Sequence, residues 1–246
     1  MAAIALTDVS VVAVKNALRD EFPEVKSSHI TEALASCLGF RTHAALQAAL
    51  QPDLDAPFAL LSTQKLLLRL QALGYPDDPE FDFEFLRGKS PQVVSTMPDS
   101  AYDIEYKSVR TRAWRNLMVC AVNAGLDQKL FSLRPGDNRW KDEEWGGQLF
   151  DFELPNGLPA RGYVSDAGFD ELSVHAAVNP KGTWVRTANG GFSAGDAFAG
   201  SWVERQSGAW LQSAETSFAC RKALLGTLAG LDVEPRGYGD RGRVIM

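Results

Sequence analysis

QLFDFELPNGLPARGYVSDAGFDELSVHAAV, residues 148–178, decides the fold. Phe150, Phe152 and Leu154 alternate with Asp151 and Glu153, the period of two that turns one face of a strand to a core. PNGLP at 155–159 and DAGFD at 166–170 carry turn chemistry, so 148–154, 161–166 and 171–178 read as consecutive strands. TWVRT at 183–187, SWVERQ at 201–206 and AWLQS at 209–213 have the same character and lie between NPKG, a Gly-rich stretch and a Ser-Gly pair. The spacing predicts an antiparallel sheet of about five strands.

Outward from that sheet the period changes to that of a helix. Val109, Ala113, Leu117, Cys120 and Ala121 share one face of a helix predicted over 103–124, with Gly125 as its C-cap. Phe218, Leu224, Leu225 and Leu228 predict a second helix over 213–231. Strands packed by a long central helix and a C-terminal helix make residues 103–246 an α+β domain. The tail PRGYGDRGRVIM is basic and Gly-rich, either a flexible end or a last edge strand.

The first part of the chain is helical in pattern. Val11, Val14 and Leu18, then Ile30, Leu34 and Leu38, then Ala45, Leu46 and Ala49, mark short helices. Ser28 and Thr42 stand where N-caps are wanted, and Gly39 where a left-handed residue closes a helix. FALL at 58–61 reads as a short strand. After it, Ser62 or Thr63 opens a helix through Leu73 that stops at Gly74, Tyr75 and Pro76. Residues 1–75 thus form a module of roughly three or four helices. The Pro-rich, acidic stretch 76–102 reads as a connector, with FDFEF at 81–85 as an edge strand.

VKNALRDEF at 14–22 and SSHITEALASCLGFRTHAALQAAL at 27–50 carry the one resemblance in the chain. Through Leu18, Arg19, Ser28, His29, Ala33, Leu34, Leu38, Gly39, Phe40, Ala45 and Leu46, residues 14–50 resemble the small N-terminal helical module of some bacterial glyoxalase-superfamily proteins. Thr42 and His43 replace the acidic residue and tryptophan common in that module. The resemblance implies a helical fold and no activity.

The composition narrows the class of function. The 246 residues include 25 basic and 31 acidic side chains, a net charge of −6, so the chain as a whole repels polyanions. Cys37, Cys120 and Cys220 lie far apart in apolar stretches and read as reduced core thiols. Asp8 interrupts the mildly apolar start, and no apolar run spans a bilayer, so a signal peptide and a membrane are not expected and the cytoplasm is the expected address.

Three groups of residues are candidates for function. Residues 34–48 fit a helix-turn-helix template that points Arg41, Thr42, His43 and Gln47 at base edges and Ala45 and Ala48 at the core. Local charge disfavours DNA there: Lys15, Arg19, Lys26 and Arg41 face Asp8, Asp20, Glu21, Glu24, Glu32, Asp53 and Asp55 within the first 60 residues. Arg110, Arg112 and Arg115, with Lys107, give the long helix a basic side on which Trp114 could stack against a base. Arg134, Asp137, Arg139 and Trp140 form a polar cluster suited to a ligand. With Glu143 and the distant His175, Asp137 supplies acid–base candidates for a hydrolase or transferase. Backbone preference alone also explains that cluster as a Pro-Gly-Asp-Asn turn. His29, His43 and His175 have no shared ligand spacing, so no metal and no cofactor are expected. The expected function is that of a binding protein with a protein partner, the helical module being its docking element.

Overall fold

The structure, a computed structural model, describes residues 2–52, 56–86, 93–95, 105–140, 146–181, 184–187, 190–205 and 209–242. The chain divides into two compact units. The first is Met1–Ala101 with Ser207–Ala209 and Arg236–Tyr238, and the second is Tyr102–Gln206 with Trp210–Pro235 and Gly239–Met246. The chain is α+β, and among the described residues no helix is long and apolar enough to cross a membrane.

The first unit is not purely helical. Its centre is β1 (Ala2–Ala5), hydrogen-bonded antiparallel to β2 (Phe58–Leu61) on one side and β3 (Val93–Ser95) on the other. All four residues of β1 are 0% exposed. A strand buried on both faces shows no alternation, which is why the pattern conceals it. Thr7 caps α1 (Asp8–Glu21), its hydroxyl accepting from the Ser10 N–H, and Val11, Val14 and Leu18 form the buried stripe.

The second helix, α2 (Ser27–Cys37), differs at its start: Ser28 is not the cap. The Tyr75 hydroxyl instead accepts from the Lys26 N–H at 3.1 Å and meets His29 Nδ1 at 3.0 Å. Gly39, at φ 84°, closes α2 as expected. Thr42 caps α3 (His43–Ala49), and Ser62 caps α4 (Thr63–Ala72). The expected strand at 81–85 is a 3-10 turn, Phe83–Leu86. Aromatic packing sets its course, with Phe81 4.9 Å from Phe22 and 5.2 Å from Phe83 between ring centroids. Gly237 also belongs to this unit, at φ 80°, where a Cβ would lie 2.3 Å from the Phe58 carbonyl oxygen.

The second unit is built around α5 (Val109–Asp127), opened by a capping box between Ser108 and Thr111. Gly125 is not its cap, because the helix runs on to Gln128. A Cβ at Gly125 would stand 2.5 Å from the Phe131 ring, so glycine is there for close packing. The sheet is larger than expected and mixed. It contains β4 (Gly147–Glu153), β5 (Pro159–Gly168), β6 (Glu171–Val178), β9 (Ala197–Glu204), β10 (Trp210–Gln212), β11 (Phe218–Cys220) and β12 (Gly239–Gly242). The order is β12-β10-β9-β6-β5-β4, with β11 also paired to β9, and every pairing is antiparallel except β12 on β10.

The 183–187 stretch leaves this sheet, as β7 (Trp184–Thr187) pairs with β8 (Gly190–Ser193) in a separate ribbon. The tail supplies an edge strand through β12. Helix α5 crosses β4, β5, β6 and β9, where Val164, Val174, Ala176, Ala199 and Val203 are all 0% exposed. Small residues let the helix come close.

The last helix, α6 (Lys222–Ala229), is shorter than the expected 213–231 and packs on α5. Phe218 is taken by β9 instead, opposite Ala199. The buried Asn116 amide of α5 donates to the Leu228, Ala229 and Leu231 carbonyls at 2.9, 3.3 and 3.0 Å, closing the C-terminal end of α6. The thiols of Cys37 and Cys120 are buried and free, and burial raises both above the usual range, that of Cys120 to about 11. Cys220 is free and only half-buried. Replacing Asn116 by Ala takes the side-chain donor from the Ala229 and Leu231 carbonyls, while the Leu228 carbonyl keeps the Leu231 N–H, and should cost about 2 kcal/mol, read as a lower urea midpoint at unchanged slope.

Candidate functional site

The polar segment after α5 folds as a tight turn, with Phe131 bridged to Asn138, the Ser132 N–H donating to the Asp137 carbonyl and Gly136 at φ 70°. Arg134, Asp137 and Arg139 come together here, and Trp140 follows half-buried. Asp137 is held by Arg139 through two bonds of 3.0 and 2.7 Å. Those bonds, with help from Ser132, hold its carboxyl below the usual range.

The residue that organises the turn was not among the candidates. Arg205, just past β9, is 0% exposed. Its guanidinium donates to the Ser132 and Asp137 carbonyls at 3.1 and 3.4 Å, to Asn138 Oδ1 at 2.8 Å and to the Asp170 carbonyl at 3.2 Å. Burial lowers its pKa, against the pull of Asp170, Asp166, Asp137 and Glu204. The bond to the Asp170 carbonyl ties in the β5–β6 turn, where Gly168, Phe169 and Asp170 have φ of 83°, 55° and 61°. In sequence Arg205 is one more polar letter at a strand end.

His175 does not join this cluster. It stands on β6 four residues beyond Glu171, about 13 Å along a strand, opposite Tyr163 and Gly200. Its ring stacks on Phe198 at 5.9 Å, its Nδ1 is buried without a hydrogen-bond partner, and burial lowers its pKa to about 4. Glu143 lies outside the described residues. Among the described residues no group of three or more His, Cys, Asp or Glu side chains could hold a metal.

The basic side of α5 is largely committed. Arg110 donates to the Phe218 carbonyl and lies 5.1 Å over the Phe218 ring. Arg115 pairs with Asp240 at 2.6 Å and with Glu234 at 3.5 Å. Trp114 is 0% exposed, so it has no face to offer a base. Arg112 is exposed, donating to the Lys107 carbonyl at the rim of a recess of about 410 Å³ that also contains Glu105, Glu234 and Asp240.

On the first unit, Arg41, Thr42, His43 and Gln47 are all exposed, but three of them are engaged locally. The Thr42 hydroxyl caps α3, and Gln47 Nε2 meets His43 Nε2 at 3.3 Å. Ala45 and Ala48 are exposed rather than core-facing, and Leu46 is the buried residue of this seven-residue helix.

The same unit also joins part of α4 to part of the 76–102 stretch. Along α4 runs an open groove of about 470 Å³. Leu67, Leu68 and Phe81 form its floor, and Asp77, Glu80 and Asp82 line its far wall. Leu68 is 56% exposed, while Leu67 and Phe81 pack into the core behind it. Comparison with protein-family models, curated proteins and solved structures finds no match to this chain.

Two measurements check these roles. Arg205→Met takes the guanidinium from the Ser132 and Asp170 carbonyls and from Asn138 Oδ1, while the Asp137 carbonyl keeps the Ser132 N–H, and should cost about 3 kcal/mol, with faster amide exchange across 132–139. Arg205→Lys should recover only part of that, since an ammonium cannot span four acceptors. For His175 the folded pKa lies below the unfolded value, so the unfolded chain takes up the proton first. Stability present above pH about 6.5 is lost as pH falls toward 4, by about 3 kcal/mol for this group. His175→Phe should remove that share of the acid sensitivity, and parallel stability curves for the two proteins between pH 7 and 4 would contradict it.

Proposed function

We propose that this protein is a binding protein whose first unit docks another polypeptide along α4. The observation that supports this reading is the groove itself, in which an exposed leucine lies within a recess framed by three carboxylates. Apolar side chains gathered in a recess with a polar rim resemble the core and rim of a protein interface, and differ from single apolar residues scattered on a surface.

The other readings draw less support. A duplex brought to the first unit would meet carboxylates in the groove and only a seven-residue helix with Arg41 just before its cap. Hydrolase or transferase chemistry at 134–145 would need Asp137 free to act, and it is committed to Arg139. Kinship of residues 14–50 with the glyoxalase-superfamily helical module is proposed on the same terms and brings no activity with it, and the cytoplasm is the proposed address.

A photo-crosslinking residue at position 68, introduced in the native host, should yield discrete protein adducts. The same residue at position 19, on the exposed side of α1, should not. Adducts at 19 and none at 68 would overturn the reading.

A further inference from the structure

We infer that the segment this groove receives is a basic amphipathic helix, an inference that rests on the docking reading above. Its first support is the form of the two walls. On α4, Gln64, Leu67, Leu68 and Gln71 stand at i, i+3, i+4 and i+7, one ridge about 10 Å long. The backbone N–H and C=O groups within α4 are spent on its own helix. The opposite wall is no strand edge either, because near Glu80 it turns back on itself: the Phe81 N–H donates to the Asp78 carbonyl and the Glu80 N–H to Asp78 Oδ1.

Neither wall therefore offers a ladder to an extended peptide. A segment pressed onto Leu67, Leu68 and Phe81 must satisfy its own backbone, and a helix does so. A ridge of i, i+3, i+4 and i+7 residues accepts a second helix by ridge-into-groove packing over about two turns.

Its second support is charge. Asp77 and Glu80 are exposed and Asp82 half-buried on the far wall, and among the described residues no lysine or arginine lines the groove. A helix with leucine-like residues toward α4 and lysine or arginine beside them places cations against these carboxylates. An acidic helix meets like charge, at a cost of affinity and of association rate.

The test uses the whole protein and fluorescence anisotropy with a labelled peptide of roughly 18 residues, its leucines at i, i+3, i+4 and i+7 and its flanking positions lysine. Binding should weaken at least tenfold with Leu68→Asp, with Asp77→Lys combined with Glu80→Lys, and between about 0.05 M and 0.5 M salt. A peptide with glutamate for lysine, and one of the same composition interrupted by two prolines, should not bind. Leu68, Asp77 and Glu80 are exposed, and an unchanged far-UV spectrum certifies each variant as folded.

Equal binding of the glutamate or proline peptide, or binding indifferent to both variants, would overturn the inference. If position 68 crosslinks a protein while the lysine peptide fails to bind, the docking reading stands and the basic-helix inference falls. If neither occurs, both fall.

Discussion

A helix buried along most of its length must find a partner for each polar group it takes inside, and α5 imposes that constraint on the whole second unit. Trp114, at 0% exposure, turns its indole N–H to the Gly200 carbonyl of β9. Asn116 closes the end of α6, Arg110 holds β11 through the Phe218 carbonyl, and Arg115 pairs with Asp240 on β12. At its far end Gly125 leaves room for Phe131, where the polar turn begins. β9, β11, β12 and α6 are thus each attached to α5 by a particular side chain, while the sheet face below is kept small enough for the helix to lie close.

The same rule explains why the densest polar cluster is better understood as scaffold than as chemistry. Burying the Arg205 guanidinium is unfavourable unless its donors are matched, and Ser132, Asp137, Asn138 and Asp170 match them. Asp137 is then drawn to Arg139 and Asn138 to Asp166. The groups that would be reactive in isolation are bound to one another, and the result is a rigid turn.

The first unit leaves a different remainder. Its core absorbs the apolar faces of α1, α2 and α4 together with Phe81, Phe83 and Leu86. Leu68 stays outside at the foot of a carboxylate wall. Phe81 links the two, since the ring that anchors the 77–82 segment to the core also forms part of the groove floor. The groove is therefore as well ordered as the packing that builds it, which lowers the cost of ordering on binding.

What the sequence determined by itself is local. Thr42, Ser62 and Gly39 act where they were expected because a cap bonds within a few residues and a left-handed turn needs glycine at one place. The strands at 148–154, 161–166 and 171–178 were legible because the turn residues of PNGLP and DAGFD divide them within a few positions, even where β6 is buried on both faces. Tertiary structure decided the rest. It alone placed β1, whose burial on both faces erases the period, and β11, for which β9 claims three residues that read as helix. It also separated Asp137 from His175, consumed Arg110 and Arg115, and set Asp77–Asp82 beside α4. In each case the deciding partner lies far away in sequence, and no local pattern of residues encodes where the chain will return.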